Sequence, residues 1–454
     1  MYVKNRPWEA LSQILWENDV DGLKSFLHRL SPGETARSIS RLSPQEQSKL
    51  LTLLEPDAAA DVIEEVSQAQ AVDLIEDLPA EDAAAIVDEI SSDKQADLLG
   101  ELDKKDAEAI LNEMSPEEAD DVRKLLAYDP DTAGGLMITE YVAYSENHHV
   151  RDVLHDLKAN RETYKDYHVQ YLYVTDEGGK LTGVLRMHDL LFASDDAVLN
   201  TAMIKKPLSI STSANIGELK QFFDEHTLFG VPVVDGADRL VGVVLPEDVE
   251  EASLKEADRQ FLGISGIIGG EEFRTMPLLV RSGRRFSWLS INIVLNIVAA
   301  SVIAYYQDTL AAVIALAVFL PMISDMSGCS GNQAVAVSMR ELTLGLIRPK
   351  EVLRVISKEV GLGALNGLAL GLLLGGVALL WKGNLFLGVV VGGALMANTI
   401  LAVCLGGALP LILRFVKLDP ALVSSPILTT ITDMCGFFLV LSFATALLPR
   451  LAGS

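Results

Sequence analysis

At 454 residues the chain is too long for one compact core, and its charge is uneven: residues 271 onward carry 13 Lys and Arg against 9 Asp and Glu, whereas residues 1–270 carry 24 against 53. An acidic surface of that size repels nucleic acid and anionic headgroups, which excludes DNA and RNA as partners and makes polyvalent cations the natural counter-charge. The three cysteines, Cys329, Cys404 and Cys435, lie in apolar stretches without zinc-site or disulfide spacing and read as small buried residues.

The N-terminus, MYVKNRPWEALSQILWEND, has no apolar core of signal-peptide length, so the acidic half is expected to stay in the cytoplasm. From there an internal repeat runs along the chain: Leu30, Leu42, Leu54, Val66, Leu78, Ile90, Leu102 and Met114 recur every 12 residues. In most units this apolar residue precedes Ser, Asp, Glu or Pro, a helix start with Pro at the first position and acids in the first turn. Each unit is therefore one short helix, with Ala84, Val87 and Ile90 showing the spacing. Such helices are unstable alone, and stacking them buries their apolar faces in an all-α acidic superhelical domain over residues 1–130.

After DPDTAGGLM (129–137) a second repeat begins. QYLYVTDEGGKLTGVLRMHDLL (170–191) and GVPVVDGADRLVGVVLPEDVEE (230–251) each read as strand, Asp/Gly turn, strand, and then a helix opened by Asp189 or Asp248. Each copy follows an amphipathic helix. The two copies resemble a tandem pair of cystathionine-β-synthase (CBS) domains, α/β modules expected over 131–198 and 199–252. Gly183 to Asp189 and Gly242 to Asp248 match the family's Gly-x-x-x-x-x-Asp motif, which places an acid at a ribose hydroxyl; each Asp also reads as a plain helix cap. The resemblance implies an adenine nucleotide such as ATP, with Asp189 and Tyr171 facing it.

LPEDVEEASLKEADRQFLGISGIIGG (245–270) reads as an amphipathic helix ending at glycines, and a connecting segment over 253–275 links the pair to the membrane half. Beyond it, five stretches are long enough to cross a bilayer, near 286–306, 311–339, 354–381, 385–414 and 421–448. Arg281, Arg284 and Arg285 before the first, Arg340, Arg348, Lys350 and Arg354 after the second, and Arg414 and Lys417 after the fourth put the N-terminus inside and the C-terminus outside. The whole reads as a multidomain protein ending in a five-helix all-α transmembrane domain, 276–454.

Polar groups inside these spans carry the function. Asp433 lies deep in the last span, where an unpaired carboxylate costs several kcal/mol unless it faces water or a cation. Thr429 and Ser425 lie four and eight residues before it on the same helix face. A protonated Asp433 bonded between helices is the structural alternative; a carboxylate on a hydroxyl stripe favours an ion path. Hard oxygen ligands suit Mg²⁺, Ca²⁺ or Mn²⁺, and Asp433 from two subunits around a hydrated Mg²⁺ is economical, which points to a homodimer. In the second span, Gly328 and Gly331 permit close helix approach while Asp325, Asn332 and Gln333 add polar groups; Asp325 is either a second pore acid or an interface residue. Pro321 and Ser424-Ser425-Pro426 are expected to kink or start helices at membrane depth.

Taken in order, acidic solenoid, CBS pair, linking helix and five spans with TTITD in the last resemble the MgtE family of Mg²⁺ channels along nearly the whole chain. DPDTAGGLM and LDPALVSSPILTTITDMCGF (418–437) carry the resemblance most specifically. It implies a homodimer in the bacterial plasma membrane, Asp433 as pore carboxylate, Ser425 and Thr429 lining the pathway, and 253–275 as a plug helix. One departure is Cys329, at a position where the family carries Asn; Asp325 is likewise unusual, and both bear on preference for Mn²⁺ or Co²⁺.

Charge suggests the gating. Mg²⁺ held between facing carboxylates of the cytoplasmic domains would offset their repulsion and favour a compact, closed state, giving negative feedback. Candidate ligands are Asp61, Asp93, Asp97, Asp248, Glu250 and Glu251, each of which also reads as a solvated surface acid. The rival class is a membrane-anchored Mg²⁺ or nucleotide sensor that conducts nothing. An anion transporter is disfavoured by the lack of a buried Arg or Lys in the spans. An enzyme is not expected, because no phosphate loop, His cluster or nucleophile with a base occurs.

Overall fold

The computed structural model describes residues 6–161, 164, 167, 170–264, 266–267, 276, 278–343, 345–416, 418 and 420–451. They form two compact units, Met1–Lys255 and Glu256–Ser454. The expected plug segment is described as far as residue 264 and at 266–267; residues 265 and 268–275 lie outside the described residues.

The first unit opens with ten helices: α1 (Pro7–Glu17), α2 (Val20–Leu27), α3 (Pro32–Ile39), α4 (Pro44–Leu53), α5 (Pro56–Glu65), α6 (Gln68–Glu76), α7 (Ala80–Val87), α8 (Ser92–Glu101), α9 (Lys104–Glu113) and α10 (Pro116–Leu125). The starts obey the chemistry expected of them. Ser43 and Glu46 form a reciprocal capping box, the Glu46 carboxylate accepting from the Ser43 N–H at 2.9 Å, and α3, α4, α5 and α10 carry Pro in the first turn. Alternate helices stack: α1, α3, α5, α7 and α9 pack in series, as do α6, α8 and α10. The repeat residues Leu42, Leu54, Ile90, Leu102 and Met114 are buried, so the 12-residue period is the period at which one apolar residue per helix enters the shared core.

Two α/β modules follow: β1 (Val142–Ser145), α11 (Val150–Ala159), β2 (Tyr171–Thr175), β3 (Leu181–Arg186), α12 (Met187–Phe192), α13 (Leu199–Ala202) and β4 (Ile204–Lys205), then β5 (Ile210–Ser211), α14 (Ile216–Glu225), β6 (Val231–Val234), β7 (Leu240–Val244) and α15 (Pro246–Ile264). Their sheets run β1-β2-β3-β4 and β5-β6-β7, each with a parallel first pair and an antiparallel hairpin. The hairpin turns are built alike: Asp176 accepts from the Gly178 and Lys180 N–H groups, and Asp235 from those of Ala237 and Arg239. The motif glycines are packing residues, since a Cβ on Gly183 would collide with Met203 and one on Gly242 would lie 2.6 Å from Met137. The helices begin earlier than expected, so Asp189 and Asp248 sit in the first turns of α12 and α15 and neither opens its helix.

The second unit comprises α16 (Leu278–Tyr305), α17 (Gln307–Ala312), α18 (Leu316–Thr343), a 3₁₀ turn (Pro349–Glu351), α19 (Val352–Lys382), α20 (Leu385–Phe415), α21 (Pro420–Ala446) and α22 (Leu448–Leu451). Among the described residues four helices are long and apolar enough to cross a membrane: α16, α19 with its 3₁₀ turn, α20, and α21 from Ser424. The expected second span is α18, also 28 residues long and packed on α20 and α21, but it falls outside that set because Ser, Asp, Asn and Gln interrupt its apolar sequence. Pro321 and Pro426 lie within α18 and α21, and both helices run through them.

Close backbone approach organises this bundle. A Cβ on Gly371 would lie 2.6 Å from the Gly392 carbonyl and one on Gly375 2.7 Å from that of Gly388, so α19 and α20 meet along small residues four apart. Gly331 does the same for α18, where a Cβ would lie 3.0 Å from the Ala402 carbonyl. Gly328 does not, its nearest neighbour being the Thr432 hydroxyl at 4.0 Å.

Candidate functional site

Asp433 reaches from α21 to α18, where the Ser324 hydroxyl donates a hydrogen bond to its Oδ1. Such a bond to a carboxylate is among the stronger polar contacts a bundle offers, and it joins the two helices at a half-buried point. Around it lies a groove. From α18 come Pro321, Ser324, Asp325, Gly328, Cys329 and Asn332, spaced three and four apart on one face; from α21 come Thr429, Asp433 and Phe437. Ile303 of α16, Leu310 of α17 and Ala317 and Leu320 of α18 complete its apolar margin.

Four of the five expected pathway residues, Asp433, Thr429, Asn332 and Asp325, thus share one groove. Ser425, two turns before Asp433 on α21, is half-buried and is not among the residues lining it. Cys329, expected to be buried, is exposed on the groove wall. The reason is the polar face of α18, which turns Cys329 outward with Asp325 and Asn332, both exposed in the single chain. Ser324 carries no signal of its own in the sequence, because only the meeting of α18 with α21 pairs it with Asp433. Among the described residues no three Asp, Glu, His or Cys side chains stand close enough to enclose a metal. The donors are oxygens of carboxylate, hydroxyl and amide groups, the set that suits a hard, hydrated divalent cation.

A second polar group lies in the first unit, where α8 and α15 bring Asp93 into electrostatic range of Asp248 and Asp97, and Asp97 into range of Glu251. Asp93 is 8% exposed, burial pushes its carboxyl up, and its Oδ1 has no hydrogen-bond partner among the described residues. Burial, reinforced by Asp93, lifts Asp248 to about 7, and its Oδ2 is likewise buried and without a partner among the described residues. Burial lifts Asp97 to about 6 despite the nearby Lys255. Two lysines offset the charge: Lys94 stands 3.3 Å from Glu64, and Lys255 3.0 Å from Glu251. Asp61 and Glu250 are exposed, and on α5 it is Glu64, one turn beyond Asp61, that ion-pairs with Lys94. The roles of Glu64, Lys94 and Lys255 are not legible in the sequence, because the solenoid's charge pattern does not reveal which side meets α15. The orphaned oxygens of Asp93 and Asp248 fit a cation better than they fit an apolar interior.

The third feature is an aromatic cleft between the α/β modules, lined by Tyr141, Tyr171, Tyr173, Phe229, Glu140 and Gln170 among others. The Tyr171 and Phe229 rings lie 6.3 Å apart, centre to centre. Asp189 is not in the cleft lining; it accepts from Arg186 at 2.6 and 3.2 Å, and Arg186 pairs with Tyr171 across β2 and β3. That guanidinium holds the Asp189 carboxyl below the usual carboxylate range.

An apolar helical bundle with a carboxylate and hydroxyls on facing helices, preceded by an acidic solenoid and two CBS modules, defines a membrane transporter of divalent cations. Family models agree in each part: the divalent cation transporter model matches residues 320–443, the MgtE intracellular N domain residues 30–131, and the CBS domain residues 133–196 and 198–255. The magnesium transporter MgtE of Bacillus subtilis is 30% identical over 334 residues, 74% of this chain and 73% of that protein. That of Thermus thermophilus is 34% identical over 339 residues, 72% of each. Among solved structures, the cytosolic domain of the Mg²⁺ channel MgtE in complex with ATP is 30% identical, covering 54% of this chain and 99% of that one, at a TM-score of 0.48. The chain belongs to the MgtE family of magnesium transporters.

Proposed function

We propose that the groove between α18 and α21 is the path of a hydrated Mg²⁺, with Asp433 as its charged ligand. The observation that carries this is the Ser324–Asp433 hydrogen bond, set in one groove with Asp325, Asn332 and Thr429. The seryl O–H orients the carboxylate without neutralising it. Mg²⁺ gives up water reluctantly, so a few oxygens contacting its hydration shell serve better than a tight cage. The polar face of α18, open in one chain, is closed in the membrane by a second copy, which makes the working unit a homodimer and α18 a fifth span. Ser425 lines the approach to the groove, and exposed Cys329 and Asp325 leave room for Mn²⁺ or Co²⁺.

The acidic unit faces the cytoplasm and senses Mg²⁺. Asp93 and Asp248, whose buried oxygens lack partners among the described residues, are the favoured contacts to the hydration shell of the cation, with Asp97 and Glu251 adding charge nearby, and the cation there holds the compact, closed state. An adenine nucleotide such as ATP stacks in the aromatic cleft on Tyr171, with Asp189 at its ribose and Arg186 beside it. What supports this is a cleft with aromatic walls next to an acid and a guanidinium. The test is Mg²⁺ uptake by proteoliposomes with Mn²⁺ and Ca²⁺ as competitors and Mg²⁺ varied on the side of the acidic unit. Uptake should fall as that Mg²⁺ rises; a folded dimer without flux in any condition would return the protein to the sensor class.

A further inference from the structure

We infer that Asn398 of α20 is a positioning residue for Asp433, holding in register the two helices that share the Ser324–Asp433 bond; this rests on the reading of the groove as the ion path. Asn398 is fully buried. Its Nδ2 donates to the Ser327 hydroxyl on α18 at 2.5 Å and to the Thr432 carbonyl on α21 at 3.0 Å. Ser327 lies one turn after Ser324, and Thr432 directly precedes Asp433. A single amide on a third helix therefore ties down both ends of the bond, one helical turn from it on α18 and at the adjacent residue on α21.

Two further observations indicate that the amide is held for this purpose. Its Oδ1 is buried without a hydrogen-bond partner among the described residues. An orphaned acceptor is unfavourable in an apolar bundle, so packing alone would favour a leucine of similar size. On α21, one turn beyond Thr432, stands Gly436, where a Cβ would lie 2.7 Å from the Asn398 Nδ2. Glycine there leaves the amide room to reach the Thr432 carbonyl. Groups behind a metal's immediate partners commonly set how well those partners are aimed.

The test compares full-length wild type, Asp433→Asn, Asn398→Leu, Asn398→Gln and Gly436→Ala in proteoliposomes. Uptake is followed against external Mg²⁺ with Ca²⁺ as competitor, and each protein's melting point is recorded in detergent. Asn398→Leu should stay folded, raise the half-saturating Mg²⁺ concentration about tenfold, and weaken discrimination against Ca²⁺. Gly436→Ala, which keeps Asn398 but crowds its amide, should shift both quantities the same way, and Asn398→Gln should recover part of the loss. Wild-type half-saturation and ion ranking in Asn398→Leu and Gly436→Ala overturn the inference, as does a fall only in maximal flux that tracks the amount of folded protein. Where Asn398→Leu does not fold, Gly436→Ala decides by the same two criteria. Wild-type transport by Asp433→Asn instead overturns the ion-path reading itself.

Discussion

Ser324 on α18 donates a hydrogen bond to Asp433 on α21, and the next residue along α18, Asp325, lines the same groove. One carboxylate, on α21, is thus braced by a hydroxyl while a second, on α18, lines the same groove exposed in the single chain. The braced acid has the fixed geometry that a selective site requires; the exposed one adds field without fixed geometry.

Replacing Ser324 separates bracing from charge. Ser324→Ala keeps Asp433 but frees its carboxylate, and should raise half-saturating Mg²⁺ severalfold, about three- to tenfold. Ser324→Thr, which retains the hydroxyl, should lie near wild type. Concentration-dependent uptake in proteoliposomes reads both.

The small residues of α19 and α20 allow a stability test with an internal control. Gly371→Ala places a Cβ against the Gly392 carbonyl and should cost about 1–3 kcal/mol, lowering the melting point in detergent. Gly376→Ala, on the same helix with nothing within 4 Å of the added Cβ, should be neutral or slightly stabilising.

Acidity should matter to the metal-free acidic unit. Asp248 and Asp97 are lifted by burial to about 7 and about 6, so their folded state favours the protonated form. For acids raised in this way, stability is fully present below the unfolded value near 4 and is lost as pH rises through the folded value. Melting in EDTA should therefore occur at a lower temperature at pH 8 than at pH 6, and Mg²⁺ should restore most of the difference. Asp248→Asn should flatten both responses. A melting point independent of pH between 6 and 8 in wild type would contradict the burial of these carboxylates.

Nucleotide binding has its own variants. Asp189→Ala and Tyr171→Ala should each weaken ATP binding about tenfold or more in calorimetry, one by losing a charged acceptor and the other by losing a stacking face. Equal affinities in wild type and both variants would remove the cleft as the nucleotide site.

Much of this architecture was legible in the chain because it is periodic. The 12-residue repeat, the duplicated strand–turn–strand pattern and the long apolar runs each encode local geometry that short-range physics reads directly. Asp433 was legible for a different reason: a carboxylate in an apolar helix carries a cost that demands an explanation. Ser324, Asn398 and Lys94 were not, since each acts only across a packed interface between helices distant in sequence. Cys329 was misjudged for the same reason, because its exposure depends on which face of α18 turns from the bundle. Asp189 and Asp248 were placed at helix starts, whereas the backbone turns helical two residues earlier, at Met187 and Pro246.

The central claim is that Mg²⁺ passes Asp433, and the most direct measurement is Mg²⁺ uptake by proteoliposomes holding equal amounts of folded wild type and Asp433→Asn. Asparagine keeps the size and accepts the Ser324 hydroxyl but removes the charge, so uptake should fall by about a hundredfold or more while the melting point stays near wild type. Uptake by Asp433→Asn equal to that of wild type would contradict the account and move the ion path away from the α18–α21 groove.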